Sequence, residues 1–171
     1  MKNINKLIFT TILLVSGLVQ GQKAIGKTTI DGSALLDFGT ENKGIILPWV
    51  TSTATTTGAV GGTFIYDISD KRVKMHNGTT WIDLTTTTGS VDTSNQDTLT
   101  ENTSVNVVIG TTPATAPGVL VLESNNMALI LPRNANPVAN ILSPSAGTMV
   151  YDTTTHKICF FNGTVWSFWG N

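Results

Sequence analysis

The chain has 171 residues, of which 12% are charged, and its formal net charge is −1. It carries no basic stripe, which disfavours nucleic acid as a partner. The single Cys159 cannot close an internal disulfide, so the fold must rest on packing.

In chain order, the first element is an expected secretory signal peptide over residues 1–21. Lys2 and Lys6 form a positive start, residues 7–15 form a short apolar run, and Val19-Gln20-Gly21 offers a cleavage point. At roughly 13 residues the apolar-leaning stretch is shorter than the ~20 that span hydrocarbon, which disfavours an uncleaved anchor. Cleavage leaves eight Lys and Arg against eleven Asp and Glu, a net charge of −3. The mature part has no further stretch apolar enough to span a membrane, and its expected location is extracellular or the outer cell surface, with the periplasm as an alternative.

The mature part reads as all-β. Thr, Val, Ile and Gly abound, and no long segment has a 3.6-residue apolar period. It also repeats itself. A shift of 84 residues lays Ala24-Ile25-Gly26 on Val108-Ile109-Gly110 and Ile45-Ile46-Leu47-Pro48 on Leu129-Ile130-Leu131-Pro132. After one inserted residue, Gly62-Thr63-Phe64-Ile65-Tyr66-Asp67 falls on Gly147-Thr148-Met149-Val150-Tyr151-Asp152. Asn77-Gly78-Thr79-Thr80-Trp81 falls on Asn162-Gly163-Thr164-Val165-Trp166. The expected architecture is therefore two tandem β-hairpin-rich modules of roughly 60 residues, at 22–84 and 108–171. Units of that size are marginal alone, which predicts packing of one on the other or oligomerisation.

Within each module, Leu36 and Phe38 suggest one strand and Ile45-Ile46-Leu47 another, around a turn at residues 41–44. Pro137–Leu142 is expected to form a short helical turn. The Thr-rich counterpart is not, because β-branched side chains lose rotamer freedom in a helix. The Asn-Gly pairs predict two-residue type I′ hairpins, with His76 facing Thr79, Lys74 facing Trp81, Phe161 facing Thr164 and Cys159 facing Trp166. The second hairpin is apolar on both faces and should be covered on both. Residues 85–107, eight of them Thr, read as an extended linker or weak strand.

The segments Asn42–Pro48, Val108–Pro113, Gly147–Asp152 and Asn162–Trp166 resemble a repeat of phage tail-fibre proteins, also present in secreted surface proteins of Bacteroidetes bacteria. The resemblance covers nearly the whole mature chain, once per module. It implies a β-rich stalk or appendage module, often in a homotrimeric fibre, without a catalytic role.

The residues support no enzyme. Asp67 and Asp152 precede turns, where Asp binds its own downstream backbone. His76 and His156 do not match in the repeat, and no cofactor or metal motif is present. The residues Tyr66, Asp67, Asn77, Gly78, Trp81, Tyr151, Asp152, Asn162, Gly163 and Trp166 recur and read as structural. Trp49 and Trp169 lack a matching Trp and, with Phe161 and Phe168, are the candidates for a ligand or interface surface. Asp97-Thr98-Leu99 and Asn102-Thr103-Ser104 are candidate glycan acceptors in the linker. The function expected is a secreted or surface structural and adhesive protein that self-associates, as a trimer in particular. The alternative is a carbohydrate-binding module with a glycan partner.

Overall fold

The computed structural model describes residues 22–94, 96–100, 106–110 and 116–170. The expected leader and the Asn102 triplet lie outside the described residues. The protein is nearly all β. The first copy contains β1 (Lys23–Ile25), β2 (Ala34–Phe38), β3 (Ile45–Ile46), β4 (Trp49–Val50), β5 (Phe64–Asp67), β6 (Arg72–His76) and β7 (Trp81–Asp83). The second contains β8 (Val107–Gly110), β9 (Leu120–Glu123), β10 (Ala128–Ile130), β11 (Arg133–Asn134), β12 (Thr148–Asp152), β13 (Lys157–Phe161) and β14 (Trp166–Trp169). Each strand of the second set stands at the repeat position of one in the first. Between β11 and β12 lies α1 (Pro137–Asn140), and its Thr-rich counterpart manages only a 3₁₀ turn at Thr53–Thr55.

Both copies build the same four-stranded sheet, in the orders β4-β5-β6-β7 and β11-β12-β13-β14, with one parallel edge pair and two antiparallel pairs. Both also build a parallel pair, β1 with β2 and β8 with β9. The strands around the turn at 41–44 do not pair with each other. Instead β2 takes β10 of the second copy in parallel, and β3 adds antiparallel to β12. The modules are therefore joined through shared sheets as well as side chains.

The hairpins correct the expected register. His76 faces Trp81 and Lys74 faces Asp83; Phe161 faces Trp166 and Cys159 faces Phe168. A type I′ turn needs positive φ at both central residues, but of Asn77 and Gly78 only Gly78, at +99°, has it. Asn77 Oδ1 instead accepts from the N–H groups of Thr79 and Thr80, and Asn162 Oδ1 accepts from those of Thr164 and Val165, which widens each loop to four residues. The register moves by two, an even number, so every side chain keeps its expected face.

One core runs across both modules: Leu47, Tyr66, Val73 and Leu84 from the first pack with Ala146, Met149 and Phe160 from the second. Phe64 stacks on Phe160 at 6.4 Å between ring centroids. Thus one face of the second hairpin is covered by the other module. Its opposite face, at Cys159, is covered from within its own module by Ile141, Val150 and Trp166.

The described residues between β7 and β8 form no strand, yet the first of them are tied down. Thr85 is buried and its Oγ1 accepts from Val73 N–H. Gly89 N–H donates to Lys71 O, Ser90 N–H donates to Asn162 O, and Val91 packs against the core. Hydrogen bonds hold what its composition could not hold by apolar burial.

Candidate functional site

The site is built where the two modules meet and where the second runs out of cover. At the junction, the two β-turn asparagines part ways. Asn162 is buried: its Nδ2 donates to Thr87 O at 2.8 Å, and its backbone carbonyl accepts from Tyr66 Oη at 3.0 Å. Burial pushes the Tyr66 hydroxyl up to about 12, so it remains a donor. Trp49 lies in the same seam, with its Nε1 donating to Ala146 O at 2.8 Å and its ring 6.3 Å from that of Tyr66. Gly147 makes this seam tight, since a Cβ there would stand 3.2 Å from Tyr66 Cβ and 3.4 Å from Trp49 Nε1. Its counterpart Gly62 faces open space.

The remaining aromatic candidates gather at the last strand. Trp166 packs on Cys159 and stands 5.2 Å from the Phe161 ring, while Trp81, at the same repeat position, meets the edge of His76 at 5.1 Å. Phe168 and Trp169 are each nearly half exposed. They border a shallow, open groove of about 580 Å³ lined also by Leu84, Thr86 and Ser167. Trp169 Nε1 donates to Leu84 O at 2.5 Å, which fixes the indole against the first module. As strand neighbours, Phe168 and Trp169 point to opposite faces and do not form one stacking platform.

The repeated acids have turn roles. Asp67 accepts from Ser69 N–H and Oγ and from Thr53 N–H, and Asp152 accepts from Thr154 N–H, Thr155 Oγ1 and Asn136 N–H. Burial alone would raise these carboxyls, but the donated hydrogen bonds outweigh it and hold both below the usual range. On the outer face of β6, Lys74 Nζ lies 2.5 Å from Asp70 and 2.8 Å from Asp83. Burial opposes its charge, yet the two carboxylates prevail and keep its pKa raised. Burial pushes the Cys159 thiol up to about 11, the reverse of an activated nucleophile. Tyr151 Oη is 3.4 Å from His156 Nδ1, with no carboxylate in that pair. Among the described residues no group of three or more His, Cys, Asp or Glu could hold a metal ion, and no helix is long and apolar enough to cross a membrane.

Several contacts escaped the sequence reading: the Tyr66–Asn162–Thr87 chain, the shared-sheet strands β3 and β10, and an uncovered apolar stretch at Val119 and Leu120, 58% and 45% exposed. The available signal was the repeat alignment itself. It places Val119-Leu120 on Leu35-Leu36, which are 2% and 1% exposed.

Two copies of one seven-strand unit, fused through shared sheets and ending in uncovered apolar strands, define a structural β repeat built to associate. The chain belongs to the family described as the phage tail like trimerisation region, whose profile matches residues 24–102 and again 108–170. The match supports a tail-fibre-like structural protein of a trimerising kind. No curated relative and no solved structure matches the chain.

Proposed function

We propose that this chain is a building block of a secreted or cell-surface appendage, adhesive in role and without catalysis. The observation that carries this reading is the tandem trimerisation unit, present twice with apolar strands left exposed in the single chain. Apolar patches of that kind mark interaction surfaces. The positive start and short apolar run at 1–21 support export.

Sedimentation equilibrium of residues 22–171 at micromolar concentration should return three times the monomer mass; a stable monomer overturns the trimeric part. Expression of the whole chain in a Gram-negative host should yield a cell-envelope or released product beginning at Gln22. Retention of an unprocessed chain in the cytoplasm overturns export.

The exposed Trp169 beside its groove supports a second reading, a glycan-binding surface. A glycan array with wild type and Trp169→Ala separates the two. Binding lost in the variant while the trimer persists supports the second reading, and a blank array removes it.

A further inference from the structure

The two copies are not equally covered, and the difference has a definite shape. In the first copy β2 is flanked on both edges, by β1 and by β10. In the second, β9 stands at the β2 position and carries β8 on one edge, while no strand among the described residues occupies the other. The side chains follow: Leu35 and Leu36 are buried, and Val119 and Leu120 are exposed. An open apolar strand edge offers unpaired backbone groups to any strand of matching register.

We propose that this open β9 edge is filled by β3 from a second copy of the chain. The assignment rests on the trimeric reading above. The occupant follows from the repeat, because the strand that fills the equivalent edge on β2 is β10, and β10 is the repeat counterpart of β3. Transferring its register places Ile45 of one copy beside Leu120 of the next, and Ile46 beside Val121. Three features of β3 suit the role. It pairs only with β12 among the described residues, so its other edge is open. Ile46 is 56% exposed. The position corresponding to the Ala128–Ala34 pair becomes Gly44 beside Gly118, so the backbones meet no side-chain obstacle there.

The converse pairing, β10 of one copy adding to β5 of another beside the open Gly62, is sterically disfavoured. Gly44 lets β3 lie against β12, where a Cβ would stand 2.8 Å from Met149 O; the counterpart of Gly44 is Ala128, whose methyl group would meet the equivalent carbonyl. The contact between copies is therefore one of a kind and runs head to tail, β3 to β9. A head-to-tail contact closes into a ring when the rotation permits, and three copies complete it in a trimer.

The test mixes two mature single-substitution chains, Ile46→Cys and Val121→Cys, under mild copper-phenanthroline oxidation. Cys159 stays in both because it is buried. A disulfide-linked heterodimer in the mixture, absent from wild type and weaker in either chain alone, is the expected result. A trimer by sedimentation without that crosslink overturns the β9–β3 assignment and leaves the trimeric reading standing. A monomer overturns both. Leu120→Lys provides a second arm with little risk to the fold, because the side chain is already partly exposed. It should weaken self-association at least tenfold while leaving the circular dichroism of the chain unchanged. Undiminished association of that variant also overturns the assignment.

Discussion

The hairpin of the first copy and that of the second have the same ladder and opposite chemistry. On the outer face of β6 and β7, Lys74 sits between Asp70 and Asp83, and Arg72 also reaches Asp83. The same positions of β13 and β14 carry Cys159 in place of Lys74 and Phe168 in place of Asp83. The backbone is indifferent to the exchange, because register is set by the Asn-led turn and by alternation. What decides the chemistry is the cover. In the second copy Ile141, directly after α1, lies over Cys159, whereas the matching part of the first copy is Thr55-Thr56-Thr57. Where Ile141 lies over the hairpin the face is apolar; where it is missing, the buried Lys74 is held by two carboxylates, Asp70 and Asp83, that keep partial access to water.

Paired substitutions at equivalent positions sharpen this comparison. The largest difference is expected at Phe160 and its counterpart Met75. Phe160 is 2% exposed in the core shared by both modules, whereas Met75 only borders that core. Phe160→Ala should cost about 3–5 kcal/mol, and Met75→Ala about 1–2 kcal/mol, in line with partial burial. Urea unfolding of both variants checks this, and equal losses would break the assignment of one core to both modules. Next comes the asparagine pair. Asn162→Ala removes the acceptor of two turn N–H groups and the buried donor to Thr87 O, for about 3 kcal/mol. Asn77→Ala removes only the exposed turn acceptor, for about 1 kcal/mol. The Asn162 variant should also speed hydrogen exchange at Ser90, whose N–H depends on that residue's carbonyl position.

Much of this was legible in the sequence, for definite reasons. The repeat fixed the order of strands, since Ile45-Ile46-Leu47-Pro48 and Gly62–Asp67 each recur with the same spacing. Side-chain faces were legible because alternation has a period of two, and they survived a two-residue error in the hairpin register. The register itself was not legible. Asn-Gly suits a type I′ turn, but the Asn side chain preferred to cap two downstream N–H groups, a choice that only geometry reveals. Partner strands were equally hidden: nothing in Ile45-Ile46 says that it joins β12 of the other module. Trp49 illustrates the same limit. Its lack of a counterpart reads as a ligand or interface surface, and its place against Ala146, 97 residues away, is one that only the fold shows.

The smallest expected effect concerns the repeated aspartates, which compare the modules at their most alike. Both Asp67 and Asp152 are buried, both accept turn hydrogen bonds, and both have pKa values below the ordinary carboxylate range. A depressed folded-state pKa contributes stability that is fully present above the unfolded value, near 4, and is lost as pH falls through the folded value. Stability should therefore be flat from pH 7 to about 5 and decline below about 4. Asp67→Asn and Asp152→Asn each lose part of this contribution at neutral pH and have less left to lose in acid. Their unfolding curves should thus lie below wild type at pH 7 and converge on it near pH 3. Parallel curves, with an equal gap at both pH values, would show that the charge of these carboxylates does not matter to the turns. Because Asp67 gathers its donors from Ser69, Asp70 and Thr53, and Asp152 from Thr154, Thr155 and Asn136, the two variants should behave alike. At this position the modules are alike in chemistry as well as in ladder, since each carboxylate binds its own turn and one backbone N–H of the segment before its strand, whatever side chains that segment carries.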